Sequence, residues 1–260
     1  MIIHHIRNAT FIIETKEFKL LIDPMLGKKG SIPTFTFFRY KAKRNPTVDL
    51  PDNIKQALKG ITHCLITHCR KGHLDHLDKD GIQFLRNTGI PVICHITDKK
   101  HLENKGINVL KCLGFWKTFK LPEGKMEIST IPALHGRGWI TAFMANGLGY
   151  FIKFENEPSI YISGDTVLTE DVRKAMKSFR PDITVVASGM ARLDLGKHIL
   201  MQLDEIVQFV KMSPEKVICN HMEALNHCPL TRSELKEQLI NSGVNEKIWI
   251  PKDGETLEFY

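Results

Sequence analysis

His68, His73, Asp75, His76 and Asp78 fall within eleven residues, directly after the apolar run Leu65-Ile66. Imidazole nitrogens and carboxylate oxygens are the ligand types of a borderline ion such as zinc, and manganese and iron accept the same set. A single His-x-Asp-His is more often a surface turn than a metal site, so partners elsewhere in the chain must decide. Three later segments offer them: Pro132-Ala133-Leu134-His135-Gly136, Ser163-Gly164-Asp165-Thr166 and Asn220-His221-Met222-Glu223. Together these give about seven candidate ligands, too many for one tetrahedral ion and suited to two ions sharing a bridge. Asp165, at a strand end and followed by the small Thr166, is the natural bridging carboxylate.

Every candidate sits where a strand should end. The opening reads as strands over Phe11 to Thr15 and Phe18 to Ile22, closed by Asp23-Pro24 because proline cannot donate to a ladder. Asp23 there reads as a group that orients a metal-bound histidine rather than as a ligand. Residues 25–51 lack periodicity and carry an aromatic and basic stretch, Phe35 to Arg44, which suits a site rim or a subunit contact better than a platform for bases. After a short helix near Asn53 to Leu58 and the histidine turn, helices over 79–87 and 97–105 alternate with strands over 91–95 and 108–111, with Asp78 and Thr97 as N-caps. A second β-rich section from about Phe115 leads to strands over 126–131, 148–154 and 159–163. Helices over 170–178, 203–212 and 233–242 then alternate with strands over 183–187 and 216–219, and two short strands end the chain. A β-rich section followed by helix–strand alternation thus occurs twice. Two such halves pack as facing sheets with helices outside, a four-layer αββα sandwich, expected to form one domain over residues 1–260.

No segment approaches the roughly 18 consecutive apolar residues of a membrane span. The start, Met1-Ile2-Ile3-His4-His5, lacks the order of a signal peptide, so a soluble cytoplasmic protein is expected. Six cysteines without a CxxC pair read as reduced thiols, with Cys69 and Cys228 as small buried hydrophobes. The formal charge of +7 favours an anionic partner, although a solubilising surface excess explains the same number. His4, His5, His63, His95, His101 and His198 lack ligand partners and read as surface or core histidines. His227 and Arg232 follow the final ligand closely enough to line a pocket, and Arg192 and Lys197 could meet an anionic substrate.

The order His-x-Asp-His, Pro-Ala-Leu-His-Gly, Ser-Gly-Asp-Thr and a strand-end histidine resembles the metallo-β-lactamase superfamily. Leu21-Ile22-Asp23-Pro24-Met25-Leu26, Tyr161 to Val167 and His221 to Arg232 are similar to the branch containing the ascorbate-phosphate lactonase and related metal-dependent hydrolases. The resemblance covers nearly the whole chain and implies the αββα sandwich. It also implies two divalent ions, zinc or manganese with iron as an alternative, held by His68, His73 and His135 and by Asp75, His76 and His221, with Asp165 bridging. Asp75 and Asp165 would be the catalytic carboxylates. A hydroxide held between the ions would be the nucleophile, since a bound metal lowers the pKa of water from 15.7 to about 7.

One departure from the family pattern falls in the first motif. His-x-His-x-Asp-His is usual, whereas Cys69-Arg70-Lys71-Gly72 separate His68 from His73 here. Arg70 and Lys71 cannot replace a histidine, because a protonated guanidinium or ammonium has no lone pair to offer. Either the insert bulges outward and leaves His68 at the metal, or the first site is incomplete and one ion binds. The bulge is the expectation. The function that follows is a metal-dependent hydrolase acting on a small anionic lactone, ester or phosphate-bearing substrate. The alternatives are a nuclease or phosphodiesterase and a degenerate metal-binding protein without activity. Membrane association is not expected, and a homo-oligomer is compatible with the aromatic stretch.

Overall fold

The computed structural model describes residues 1–121, 124–145 and 147–259. In chain order the elements are β1 (Ile2–Arg7), β2 (Thr10–Glu14), β3 (Lys19–Ile22), α1 (Ile54–Ala57), β4 (His63–Leu65), α2 (Lys79–Thr88), β5 (Val92–His95), α3 (Lys99–Glu103) and β6 (Val109–Leu113). The second run comprises β7 (Thr118–Lys120), β8 (Met126–Ala133), β9 (Gly147–Phe154), β10 (Ile160–Ile162), α4 (Glu170–Phe179), β11 (Ile183–Ala187), α5 (Leu203–Met212), β12 (Lys216–Asn220), α6 (Arg232–Asn241), β13 (Ile248–Trp249) and β14 (Thr256–Glu258).

Two seven-stranded mixed sheets result, ordered β14-β1-β2-β3-β4-β5-β6 and β13-β12-β11-β10-β9-β8-β7. Strand periodicity explains how they stack. Phe11 and Ile13 of β2 and Leu148, Tyr150 and Ile152 of β9 point into one core between the sheets. Ile12 faces the opposite way into a second core under α1, α2 and α3. Phe151 packs with α4, α5 and α6 in a third. Successive side chains of a strand leave by opposite faces, so a strand apolar at every position must be covered on both sides. This is the expected αββα sandwich. The halves are not fully segregated, however: the two closing strands separate, β13 extending the second sheet beside β12 and β14 returning to pair with β1 of the first. No helix among the described residues is long and apolar enough to cross a membrane.

Asp78 caps α2 as its position suggested, accepting from Gly81 N, and it also accepts from the backbone of Leu26 and Gly27. Thr97 does not cap α3. Asp98 takes that place without a side-chain capping bond, while the Thr97 hydroxyl is 2.7 Å from His95 Nδ1.

The long segment after β3 is held from below by Arg7, whose buried guanidinium donates to the carbonyls of Met25, Gly27 and Val48. Losing a buried donor strands its acceptors, at about 1–3 kcal/mol for each group left unpaired. Arg7→Leu should therefore lower the unfolding free energy by roughly 3 kcal/mol. The check is the urea midpoint, and a value within experimental error of the parent would contradict the role assigned to Arg7.

Candidate metal centre

All seven residues expected as ligands converge at one end of the sandwich. His68 leaves β4 and is followed by His73, Asp75 and His76, while His135 follows β8, Asp165 follows β10 and His221 follows β12. Their ligand atoms form two groups, His68, His73 and His135 in one and Asp75, His76, Asp165 and His221 in the other, each with all its atoms within 4.8 Å of one another. Asp165 Oδ2 lies 3.2 Å from His76 Nε2, 3.3 Å from His221 Nε2 and 3.5 Å from His135 Nε2, so one oxygen adjoins both groups. Asp75 Oδ2 lies 3.6 Å from both His76 Nε2 and His221 Nε2. Atoms bound tetrahedrally at about 2.0–2.1 Å are about 3.4 Å apart, so these spacings suit the edges of a coordination polyhedron.

The insert before His73 bulges outward without removing His68. Lys71 and Gly72 take positive φ values of 54° and 85°, which reverses the chain and exposes both residues. Cys69 turns into the core behind β4, and Arg70 pairs with the buried Asp98. The Lys71 ammonium donates to the carbonyls of Ala142 and Met144 at 2.8 and 2.9 Å, tying the insert to the segment after His135.

Each of the five imidazoles has its Nδ1 occupied. The partners are the Thr67 hydroxyl for His68, the Arg70 carbonyl for His73, Asp23 Oδ2 at 2.8 Å for His76, the Ile199 carbonyl at 2.8 Å for His135 and Cys228 Sγ at 3.6 Å for His221. Fixing one ring nitrogen aims the other, which is how outer partners orient metal-binding histidines. The expected role of Asp23 matches this geometry. Its carboxylate also accepts from Thr67 N and Thr67 Oγ1.

Other contributors could not be singled out from sequence. Asn8, in the β1–β2 turn, donates to the Asp75 carbonyl and accepts from His221 N, joining two ligand loops. Thr166 Oγ1 accepts from Leu134 N, joining the His135 and Asp165 loops. Gly164 has φ +62°, and a Cβ there would lie 2.5 Å from the Leu148 carbonyl, so the turn before Asp165 requires glycine. Arg232, considered for the pocket, is turned instead to Glu223, Asp253 and the Pro251 carbonyl, where it braces the loop after His221. Arg192 donates to the Gly196 carbonyl. His227 does line the pocket.

That pocket, of about 140 Å³, opens beside the first group and is lined by Phe35, Lys71, Gly72, His73, Asp75, His135, Met144, Leu193, Ile199 and His227. The rim role expected for the aromatic stretch fits Phe35, whereas Phe37 and Phe38 point to solvent with their backbone nitrogens on the Asp194 carboxylate.

The electrostatics suit a cation. Burial pushes His68 well below the ordinary imidazole value, aided by His76 and His73, and pushes His135 down to about 4 against the pull of Asp165. Burial acts the same way on His76, but Asp165, Asp23 and Asp75 outweigh it and raise that imidazole. His221 is likewise raised, chiefly by Asp165. The imidazoles in turn overcome burial at Asp75 and Asp165 and hold both carboxyls below the usual range. The metal-free protein thus keeps protons where a dication would sit.

A family model described as a β-lactamase superfamily domain matches residues 19–222. The chain is 34% identical over 262 residues to the UPF0173 protein YddR of Bacillus subtilis, covering 100% of each. Among solved structures it is similar to an isothiocyanate hydrolase from Delia radicum gut bacteria, with a TM-score of 0.89 and 29% identity over 100% of this chain and 99% of that one. A possible metal-dependent hydrolase from Veillonella parvula gives a TM-score of 0.89 and 26% identity over 99% and 98%.

Two outcomes are expected. Asp23→Ala should weaken metal binding at the group containing His76 by about 10- to 100-fold, as read by chelator competition; unchanged affinity would show that Asp23 does not orient His76. His135 is neutral in the metal-free fold, whereas an unfolded histidine titrates near 6.5. The unfolded state therefore binds the extra proton, and this contribution to stability is present above about 6.5 and lost as pH falls to about 4. Its size is roughly 3 kcal/mol. Denaturation midpoints of the metal-free protein and of His135→Asn, compared between pH 7.5 and 4.5, should differ in pH dependence by that amount.

Proposed function

The chain belongs to the β-lactamase superfamily and is a metal-dependent hydrolase within it, and from that premise we propose a two-ion centre. His68, His73 and His135 would hold one divalent ion and Asp75, His76 and His221 the other, with Asp165 Oδ2 adjoining both sets of ligands. The observation that carries this reading is a set of unpaired buried atoms: among the described residues, Nε2 of His68, His76 and His221 and Oδ1 of Asp165 have no hydrogen-bond partner. Leaving such groups unsatisfied costs about 1–3 kcal/mol each. The two cations together would satisfy all of them, and zinc, manganese and iron each suit the donor set.

Bound ions would supply an activated water and polarise the heteroatom attached to the electrophilic centre of the substrate. The protein's own groups do the rest. Asp75 and Asp165 stay ionised at neutral pH and aim their oxygens at the shared space. Asp75 also lines the pocket, so its carboxylate is the protein's own proton acceptor at the floor. Phe35, Met144, Leu193 and Ile199 form apolar walls.

Small size and apolar walls favour a compact electrophile with little charge, such as an ester, a lactone or an isothiocyanate, the last being the compound class in the name of the 29%-identical neighbour. A small anionic or phosphate-bearing substrate is the second reading, favoured by Lys71 at the pocket edge and the net charge of +7. The Lys71 ammonium already serves two carbonyls, which weakens that reading.

Protein purified without chelator should carry two ions per chain, and Asp75→Ala should lose turnover while keeping its far-ultraviolet circular dichroism. A substrate panel at one metal loading should give kcat/KM for uncharged esters, lactones or isothiocyanates above that for phosphate monoesters. Unchanged turnover in Asp75→Ala would sink the mechanism, and a preference for phosphate esters would select the anionic class.

A further inference from the structure

The pocket contains five side chains able to make a hydrogen bond or an ion pair: Lys71, His73, Asp75, His135 and His227. His73, Asp75 and His135 belong to the two metal-ligand groups. The ammonium of Lys71 is turned to the carbonyls of Ala142 and Met144. Among the described residues that leaves His227, whose Nδ1 meets the Cys228 sulfur that also faces His221 and whose Nε2 is committed to neither metal-ligand group.

Its ring is held in place before any ligand arrives. Phe35 meets it edge-on, with centroids 4.9 Å apart and planes at 84°. Its Nδ1 is turned to Cys228 Sγ at 4.0 Å, a weak contact, and Nε2 has no hydrogen bond among the described residues. The backbone on both sides is also fixed. Arg192 N donates to the His227 carbonyl. The preceding Asn226 accepts from Phe35 N, exchanges bonds with Asn45 and donates to Thr34 and Thr36. The ring is buried at 4% exposure, yet it faces the cavity rather than the packed core.

We infer that His227 is a catalytic residue that donates a hydrogen bond from Nε2 to the substrate heteroatom on which negative charge develops during attack. That atom is an oxygen in an ester or lactone and a nitrogen or sulfur in an isothiocyanate. A donor whose ring is buried and rigidly held stabilises developing charge without reorganising when the reaction occurs. The assignment rests on the hydrolase reading above, and it adds a contact from the pocket wall to those that the metal-ligand groups would make.

The test compares His227→Phe, which preserves ring volume against Phe35, with His227→Gln, whose amide can still donate. Metal content, kcat and KM on the best substrate of the panel, and affinity for hexanoate as a carboxylate product analogue are measured for both and for the parent. The expected result is an unchanged metal content, a loss of about 100-fold in kcat for His227→Phe, recovery of about tenfold by His227→Gln, and hexanoate binding about tenfold weaker in His227→Phe. Kinetics and hexanoate affinity within twofold of the parent in His227→Phe would overturn the assignment. So would loss of metal in both variants, which would make the role structural. If the parent neither holds metal nor turns over any substrate, the hydrolase reading fails instead, and the hexanoate comparison alone then decides for or against His227.

Discussion

Five imidazoles and two carboxylates, all buried, share one space at the end of this sandwich. An assembly of that kind is unfavourable in a protein interior unless each group is paired, because removing charged and polar groups from water costs more than packing returns. The outer half of the problem is solved by the protein, which gives every imidazole a partner on Nδ1. The inner half consists of imidazole and carboxylate atoms without partners among the described residues, a donor set that suits a cation. Most other features of this end of the molecule follow from that division.

The backbone pays in conformation for bringing these groups together. Asp23, Lys71 and His221 have φ values of 44°, 54° and 60°, and Glu223 has 59°, a region that side chains with a Cβ occupy at some cost. Each reversal lies at or within two residues of a residue of the centre. Their persistence reflects bonding from outside: Asp23 is fixed by Thr67, the loop after His221 is braced by Arg232, and His221 N is held by the Asn8 carbonyl. Strain near the site is thus balanced by polar bonds one layer further out.

The pocket is assembled differently from the metal centre. Its walls come from four chain segments with no sequence relation, contributing Phe35, Met144, Leu193 and Ile199, and His227. They are tied to one another rather than to the sheets. Lys71 binds the carbonyls of Ala142 and Met144, Asp194 binds the backbone of 37–39, and Asn226 binds the segment around Phe35 and Asn45. The unusual spacing between His68 and His73 gains a physical purpose here, since the inserted residues supply the tie that holds one wall.

How much of this was readable from the chain follows from the range of each interaction. The metal groups were legible because ligand chemistry restricts residue types to histidine and aspartate and because each candidate follows an apolar run that must end. The sandwich was legible from strand and helix periods repeated in two halves, which local sequence encodes. Whether Cys69 to Gly72 would displace His68 was not, because a bulge is decided by where its side chains find partners, and those are Asp98 and the 142–144 carbonyls. Asn8, Thr67 and His227 were hidden or undecided for the same reason: an asparagine, a threonine or a lone histidine has no distinguishing pattern until distant segments are brought against it. The sequence alone therefore determined which atoms could bind metal and which fold would present them. Only the tertiary structure decided the insert's path, the return of β14 to the first sheet and the shape of the pocket, because each depends on contacts between residues far apart in the chain.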